Sequence, residues 1–227
     1  MRNVQSLKLV CVSILLALGI SACATNRSVI AVAAPIGEQP KSNSFAKITE
    51  VRDLRQFSVN PNDPSLPSLR SAEEIQDAKI TGRAVARKRN GFGMALGDVM
   101  IPETTSVAGL VRDSAKKALQ DKGYVVVDES SPNYAHALPL AIDIEQFWSW
   151  MKPGFATLTF TFNSSVVLKG SGLLGADNPA IKSQTIVNSA FGTESVWRES
   201  VQNGVNDLTE QMKQHIKASS DASPPVV

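Results

Sequence analysis

Leu138-Pro139-Leu140-Ala141-Ile142-Asp143-Ile144-Glu145 places an apolar side chain at every second position, and Thr157-Leu158-Thr159-Phe160-Thr161-Phe162 repeats the pattern after the turn Lys152-Pro153-Gly154. Successive side chains of a strand point to opposite faces, so each run describes a strand with one face in a core and the other toward water. Two such runs joined by a Pro-Gly turn predict a long antiparallel hairpin.

Outward from that hairpin, a turn around residues 170–179 leads to a further strand over 182–190, and then to a helix over 195–217. Trp197, Val201, Val205, Leu208, Met212 and Ile216 fall on one stripe of that helix. Gly204 lies inside it, at a cost of about 1 kcal/mol against Ala. Upstream, Thr104 to Ser106 offer caps for a helix carrying Val107, Leu110, Val111, Ala118 and Leu119 at helical spacing. Gly123 stops it, and a strand follows over 124–127. A first strand is predicted over 45–51, and another strand or extended arm over 80–87. Pro61, Pro64 and Pro67 keep residues 60–68 irregular. Gly91, Gly93 and Gly97 mark a loop. The order predicts an α+β fold: a mostly antiparallel sheet of about four to six strands with two main helices packed on one face.

The N-terminus sets the compartment. Arg2 and Lys8 precede an apolar run from Leu9 to Ile20, which is too short for a membrane-spanning helix and fits a signal-peptide core. Ile20-Ser21-Ala22-Cys23 resembles the lipobox, an aliphatic residue and two small ones before an acylated cysteine. Residues 1–22 are therefore expected to be a lipoprotein signal peptide, with Cys23 the lipidation site and its acyl chains the link to a membrane. Ala24 after the cysteine favours the outer membrane by resemblance to enterobacterial lipoproteins. Residues 24–44, rich in Ala, Ser, Asn and Pro, read as a flexible tether reaching on the order of 25 Å. A single periplasmic domain is expected over 45–217, and a frayed tail over 218–227.

The signal holds two of the 23 basic residues and none of the 21 acidic ones, so residues 23–227 are neutral. That removes the charge argument for nucleic acid. Cys11 leaves with the signal and Cys23 is acylated, so no disulfide remains and a core must hold the domain together.

The residues that could carry chemistry are few. Gly170-Ser171-Gly172-Leu173-Leu174-Gly175 matches a dinucleotide fingerprint, but Asp177-Asn178-Pro179 follows where a helix must begin; a hairpin loop is the better reading, and no cofactor is expected. His136 and His215 sit in no metal-ligand motif. Asp143 and Glu145 share a strand face and invite an acid–base reading, although the wet face of a sheet accounts for them more simply. No nucleophile elbow is present. Arg83, Arg87, Lys88 and Arg89 form the densest positive cluster, suited to lipopolysaccharide phosphates, anionic lipid or cell-wall carboxylates. Trp148 and Trp150, near the hairpin end, suit a partner surface, although Trp148 also continues the apolar parity of Leu140 to Ile144.

Over about 47–217 the chain resembles the YajG-type family of outer-membrane lipoproteins. The resemblance lies in Val51-Arg52-Asp53-Leu54-Arg55, in the glycine-bearing segment 82–97, and in Lys122-Gly123-Tyr124-Val125-Val126. The proline-bearing stretch 56–75 is longer than the family pattern. The resemblance implies an α+β periplasmic domain on a lipid anchor and supplies no activity. With no catalytic arrangement in sight, a non-catalytic envelope lipoprotein that binds a protein partner is expected. A module for cell-wall glycan or anionic lipid is the alternative.

Overall fold

A computed structural model describes residues 27–175 and 178–220. The expected signal peptide and Cys23 lie outside the described residues. In chain order the elements are β1 (Ser28–Val29), β2 (Phe45–Asp53), β3 (Ser58–Val59), β4 (Ser68–Leu69), α1 (Ala72–Gln76), α2 (Ala78–Thr81), β5 (Ala84–Arg89), β6 (Ala95–Met100), α3 (Val107–Asp121), β7 (Val125–Val126), a 3-10 turn (Tyr134–His136), β8 (Leu138–Pro153), β9 (Leu158–Lys169), β10 (Ala180–Ser189) and α4 (Glu194–His215).

The expected hairpin is β8–β9, in antiparallel register from Ala141↔Lys169 to Pro153↔Leu158, with β10 antiparallel beyond β9. The rest of the sheet departs from expectation. Eight strands form one mixed sheet, ordered β1-β6-β5-β8-β2-β7 with β9 and β10 on the other side of β8, and β3 pairs with β4 separately. Pairings β1–β6, β2–β7, β2–β8, β5–β8 and β3–β4 are parallel. The expectation of a mostly antiparallel sheet of about four to six strands with two helices is therefore wrong: the sheet is larger and mixed, and among the described residues four helices accompany it. The reason is physical. Alternation has period two in either kind of ladder, and partners such as Ala46 and Leu138 are far apart in the chain, so neighbouring runs reveal only the hairpins.

Strand β8 is the spine. Its first half pairs with β2, its second half meets β5 at Ser149↔Ala86, and β9 lines its whole far edge. Register slips between Ile144 and Gln146, a β-bulge at Glu145. One extra residue inverts the facing of all that follow. Leu140, Ile142, Ile144 and then Phe147 enter the main core, whereas Trp148 and Trp150 enter a second cluster with Leu69, Ala84 and Met100. The parity expected for Trp148 gives its burial correctly and its face wrongly.

Helices α3 and α4 cover the main core. Ser106 Oγ accepts the Gly109 N–H at 3.0 Å to start α3, and Gly123, at φ 86°, ends its turn. Trp197 of α4 stands edge-on to Phe160 at 4.8 Å between centroids. The second cluster is roofed by the proline-bearing insert: Phe57 packs edge-on to Trp148, and the Trp148 indole N–H donates to the Pro64 carbonyl at 3.2 Å.

Between the end of β2 and the start of β5 the sheet has a seam, since β5 reaches β8 only at Ser149. Arg55 fills it. Its guanidinium donates to the carbonyls of Ala84 in β5 and Phe147 in β8, at 2.7 and 3.1 Å.

The stretch expected as a flexible tether is, from residue 27 on, part of the fold. Strand β1 pairs with β6, Ile30 is buried, Val32 and Ala34 pack on the main core, and Gln202 of α4 bonds both polar groups of the Ala33 backbone. At the other end the Ser219 N–H donates to the Lys122 carbonyl at 2.8 Å, so the expected tail is secured at its start; residues 221–227 lie outside the described residues.

Candidate functional site

The structure disperses the candidates drawn from sequence. Trp148 is wholly buried and Trp150 is 7 % exposed, so neither offers a surface. The four cations of 83–89 do not form one patch. Arg83 donates to the Ile101 carbonyl and pairs with Glu103 at 3.1 Å. Arg87, 6 % exposed, pairs with Asp98 at 3.2 Å. Lys88 lies on the opposite face of the strand and donates to Ser28 Oγ, which itself donates to Glu194 at 2.6 Å. Arg89 bonds the Pro61 and Gly93 carbonyls and Ser68 Oγ, and its pKa is lowered by burial and then by the neighbouring Arg87 charge. Most of this cluster therefore ties β5 to the insert and to β1.

Asp143 and Glu145 do not act as a pair. Each has its own partners: Asp143 takes a bidentate bond from Arg52, at 2.7 Å twice, and a third from Lys169 at 2.6 Å, while Glu145 accepts from Ser165 Oγ at 3.0 Å. Hydrogen bonds from Arg52, and then from Lys169, hold the Asp143 carboxyl down to about 2. An unfolded aspartate titrates near about 3.9. A folded value below the unfolded one gives stability that is full above about pH 4 and is lost as pH falls toward 2. Urea midpoints of the native chain and Asp143→Asn are therefore expected to differ near neutral pH and to converge as pH falls through that window. A constant gap across it would show that the carboxylate charge contributes nothing.

Neither histidine gains a partner set suited to a metal: His136 closes the 3-10 turn, and His215 Nδ1 lies 2.9 Å from the Gln211 carbonyl. Among the described residues no group of three His, Cys, Asp or Glu side chains could hold a metal ion, and no helix is long and apolar enough to cross a membrane. The glycine run at 170–175 forms the turn after β9, with Gly172 at φ 83°.

What remains open is the outer edge of β10. Among the described residues, strand β10 pairs with β9 alone. The Leu168 N–H donates to the Pro179 carbonyl at 3.1 Å, and the register runs unbroken from Ala180↔Val167 to Ser189↔Leu158. In an antiparallel ladder, bonded pairs alternate with unbonded ones. Residues 181, 183, 185, 187 and 189 therefore turn their backbone groups to β9. Ala180, Lys182, Gln184, Ile186 and Asn188 turn theirs outward, and among the described residues nothing bonds those groups. Natural edges are usually short, bulged, proline-bearing or guarded by charge. This one is ten residues long, regular, without proline, and its only charge is Lys182. Ile186 is 57 % exposed beside it. A cavity of about 690 Å³ opens on the adjoining wet face, lined by Leu66, Glu145, Asn163, Ser165, Lys182 and Gln184. The sequence showed the strand but could not show that it ends the sheet, because nothing local tells an edge strand from an interior one.

No family model matches the chain, and no curated protein does. Solved structures similar to the chain include two crystal structures. One is the crystal structure of an uncharacterized protein, with a TM-score of 0.39 and 9 % identity over 82 % of this chain and 97 % of that one. The other is a Xanthomonas campestris protein of family DUF330, with a TM-score of 0.39 and 14 % identity over 84 % of this chain and 92 % of that one.

Proposed function

We propose that the chain is a lipid-anchored protein of the cell envelope that works without catalysis, by taking up a protein partner along the edge of β10. The unguarded ten-residue edge is the observation that carries this reading. An extended peptide adds to such an edge through main-chain hydrogen bonds, and side-chain pockets nearby supply the specificity. The ordered signals ending in Cys23, and the resemblance to YajG-type lipoproteins of the outer membrane, support the anchor and its location.

The edge makes a specific prediction. Proline at Gln184 or Ile186 removes an outward N–H and leaves the ladder to β9 intact, whereas proline at Thr185 breaks that ladder. A photo-crosslinker at Asn188 in the full chain, expressed in its own cells, is expected to yield a discrete protein adduct. Gln184→Pro is expected to weaken that adduct at least tenfold while thermal unfolding stays within a few degrees of the parent. An adduct indifferent to Gln184→Pro and Ile186→Pro would remove β10 from the interface.

A further inference from the structure

Three loops stand side by side at one end of the sheet: residues 90–94 between β5 and β6, 154–157 between β8 and β9, and 190–193 between β10 and α4. The registers put them at one level. Ala86↔Ser149 brings the end of β5 beside Lys152, Pro153 pairs with Leu158, and Leu158 pairs with Ser189. Each loop carries an exposed phenylalanine: Phe92 at 91 %, Phe155 at 110 % and Phe191 at 72 %, with Met94 at 60 %. The other five of the eight phenylalanines are buried or half-buried. Isolated apolar side chains on a surface are ordinary; three aromatic tips in a row at one end form a face suited to an interaction.

The chain itself indicates what covers that face. Strand β6 starts at this end, directly after Met94, and β1 runs parallel to it, so β1 enters the sheet from the loop side. Ser28 pairs with Val99, and the four residues from Val99 back to Ala95 span about 13 Å. Cys23 stands four residues ahead of Arg27, a reach of up to about 14 Å. An acyl group on Cys23 can therefore arrive level with the three tips. The exposed Lys152 stands just behind the tips, suited to lipid phosphates, with Asp63 as its nearby counter-charge. Aromatic side chains backed by cations favour the interfacial layer of a bilayer.

We propose that Phe92, Phe155 and Phe191 are seated in the surface of the same lipid bilayer that holds Cys23, so that the domain rests on the membrane in one fixed orientation. The inference rests on the lipoprotein reading of Cys23 and adds to it a second, protein-borne contact. It leaves β10 running along the membrane normal with its open edge facing sideways, where a partner can approach.

The test uses the full lipidated chain in vesicles of phosphatidylethanolamine and phosphatidylglycerol. The mature chain has no cysteine besides Cys23, so a thiol introduced at one position takes a fluorophore there alone. Labels at Phe92→Cys, Phe155→Cys and Phe191→Cys are compared with one at Ile36→Cys. Ile36 is 95 % exposed, near Gln39, which bonds Val126 at the opposite end of the sheet. Nitroxide carried on lipid chains is expected to quench the three tip labels several-fold more than the label at 36, while aqueous iodide does the reverse. Equal quenching at all four positions, or tip quenching that vanishes as protein is diluted among vesicles and so reports contact between copies, overturns the proposal. The mass of the chain reports acylation of Cys23 separately. Acylated chain with unquenched tips overturns only the seating of the loops. Unacylated chain overturns the anchor and leaves a free thiol at Cys23, so the tip variants are then remade with Cys11→Ser and Cys23→Ser, and their labels, mixed with the same vesicles, still decide whether the loops enter lipid.

Discussion

Arg55→Ala is expected to destabilise the chain by about 3–5 kcal/mol, the range for removing one partner from a buried charged network. The side chain is wholly enclosed and pairs with Asp53 at 2.7 Å. It also donates to the carbonyls of Thr81, Ala84 and Phe147. Truncation leaves the Asp53 carboxylate without its cation and three carbonyls without a donor, at the place where β5 and β8 are joined by a single ladder pair. With a urea slope of about 2 kcal/mol per molar, the midpoint falls by roughly 1.5–2.5 M. Arg55→Lys is expected to recover little, because an ammonium cannot reach three carbonyls and a carboxylate in one plane. A midpoint shift below about 0.5 M in Arg55→Ala would mean that the seam is held by packing alone.

Gly204→Ala separates the sequence reading from the structure by sign. Helix propensity alone has alanine stabilise α4 by about 1 kcal/mol. In the fold, a Cβ at Gly204 would stand 2.0 Å from Phe162 Cδ1 and 2.3 Å from Cε1. The ring cannot yield: Phe162 is fully buried and held edge-on by Phe147, with centroids 4.8 Å apart. Overpacking of this kind costs about 1–3 kcal/mol or more. The variant is therefore expected to unfold at lower urea than the parent, with Gly204→Ser at least as low. A higher midpoint for Gly204→Ala would show that α4 and β9 can separate without penalty.

These two residues also show where the sequence is silent. The elements that rest on local chemistry were legible: the hairpin from its alternation and Pro-Gly turn, α3 from its Ser106 cap and Gly123 stop, α4 from its stripe. What depends on remote partners was not. A bulge adds one residue with no mark of its own, so the facing of Trp148 and Trp150 follows only from the register with β9. The insert reads as irregular from its prolines, and its service as a roof over Trp148 depends on an indole 84 positions away from Pro64. The cations of 83–89 looked like one patch because they are neighbours in sequence, yet alternation along β5 sends Arg87 and Lys88 to opposite faces. Phe155 sits in a turn, where nothing local marks it; its place beside Phe92 and Phe191 depends on how the strand ends align.

The contact of Ala33 with Gln202 joins positions 169 residues apart. Loops of that length close late, because their entropy must be met before the contact contributes. The two bonds between Ala33 and Gln202 therefore form only once the last helix has docked. Until α4 docks, Ala33 has no partner on that helix; once it is home, the segment is drawn in against it. If Cys23 carries the proposed lipid anchor, completion of the fold and fixing of its pose on the membrane are one event.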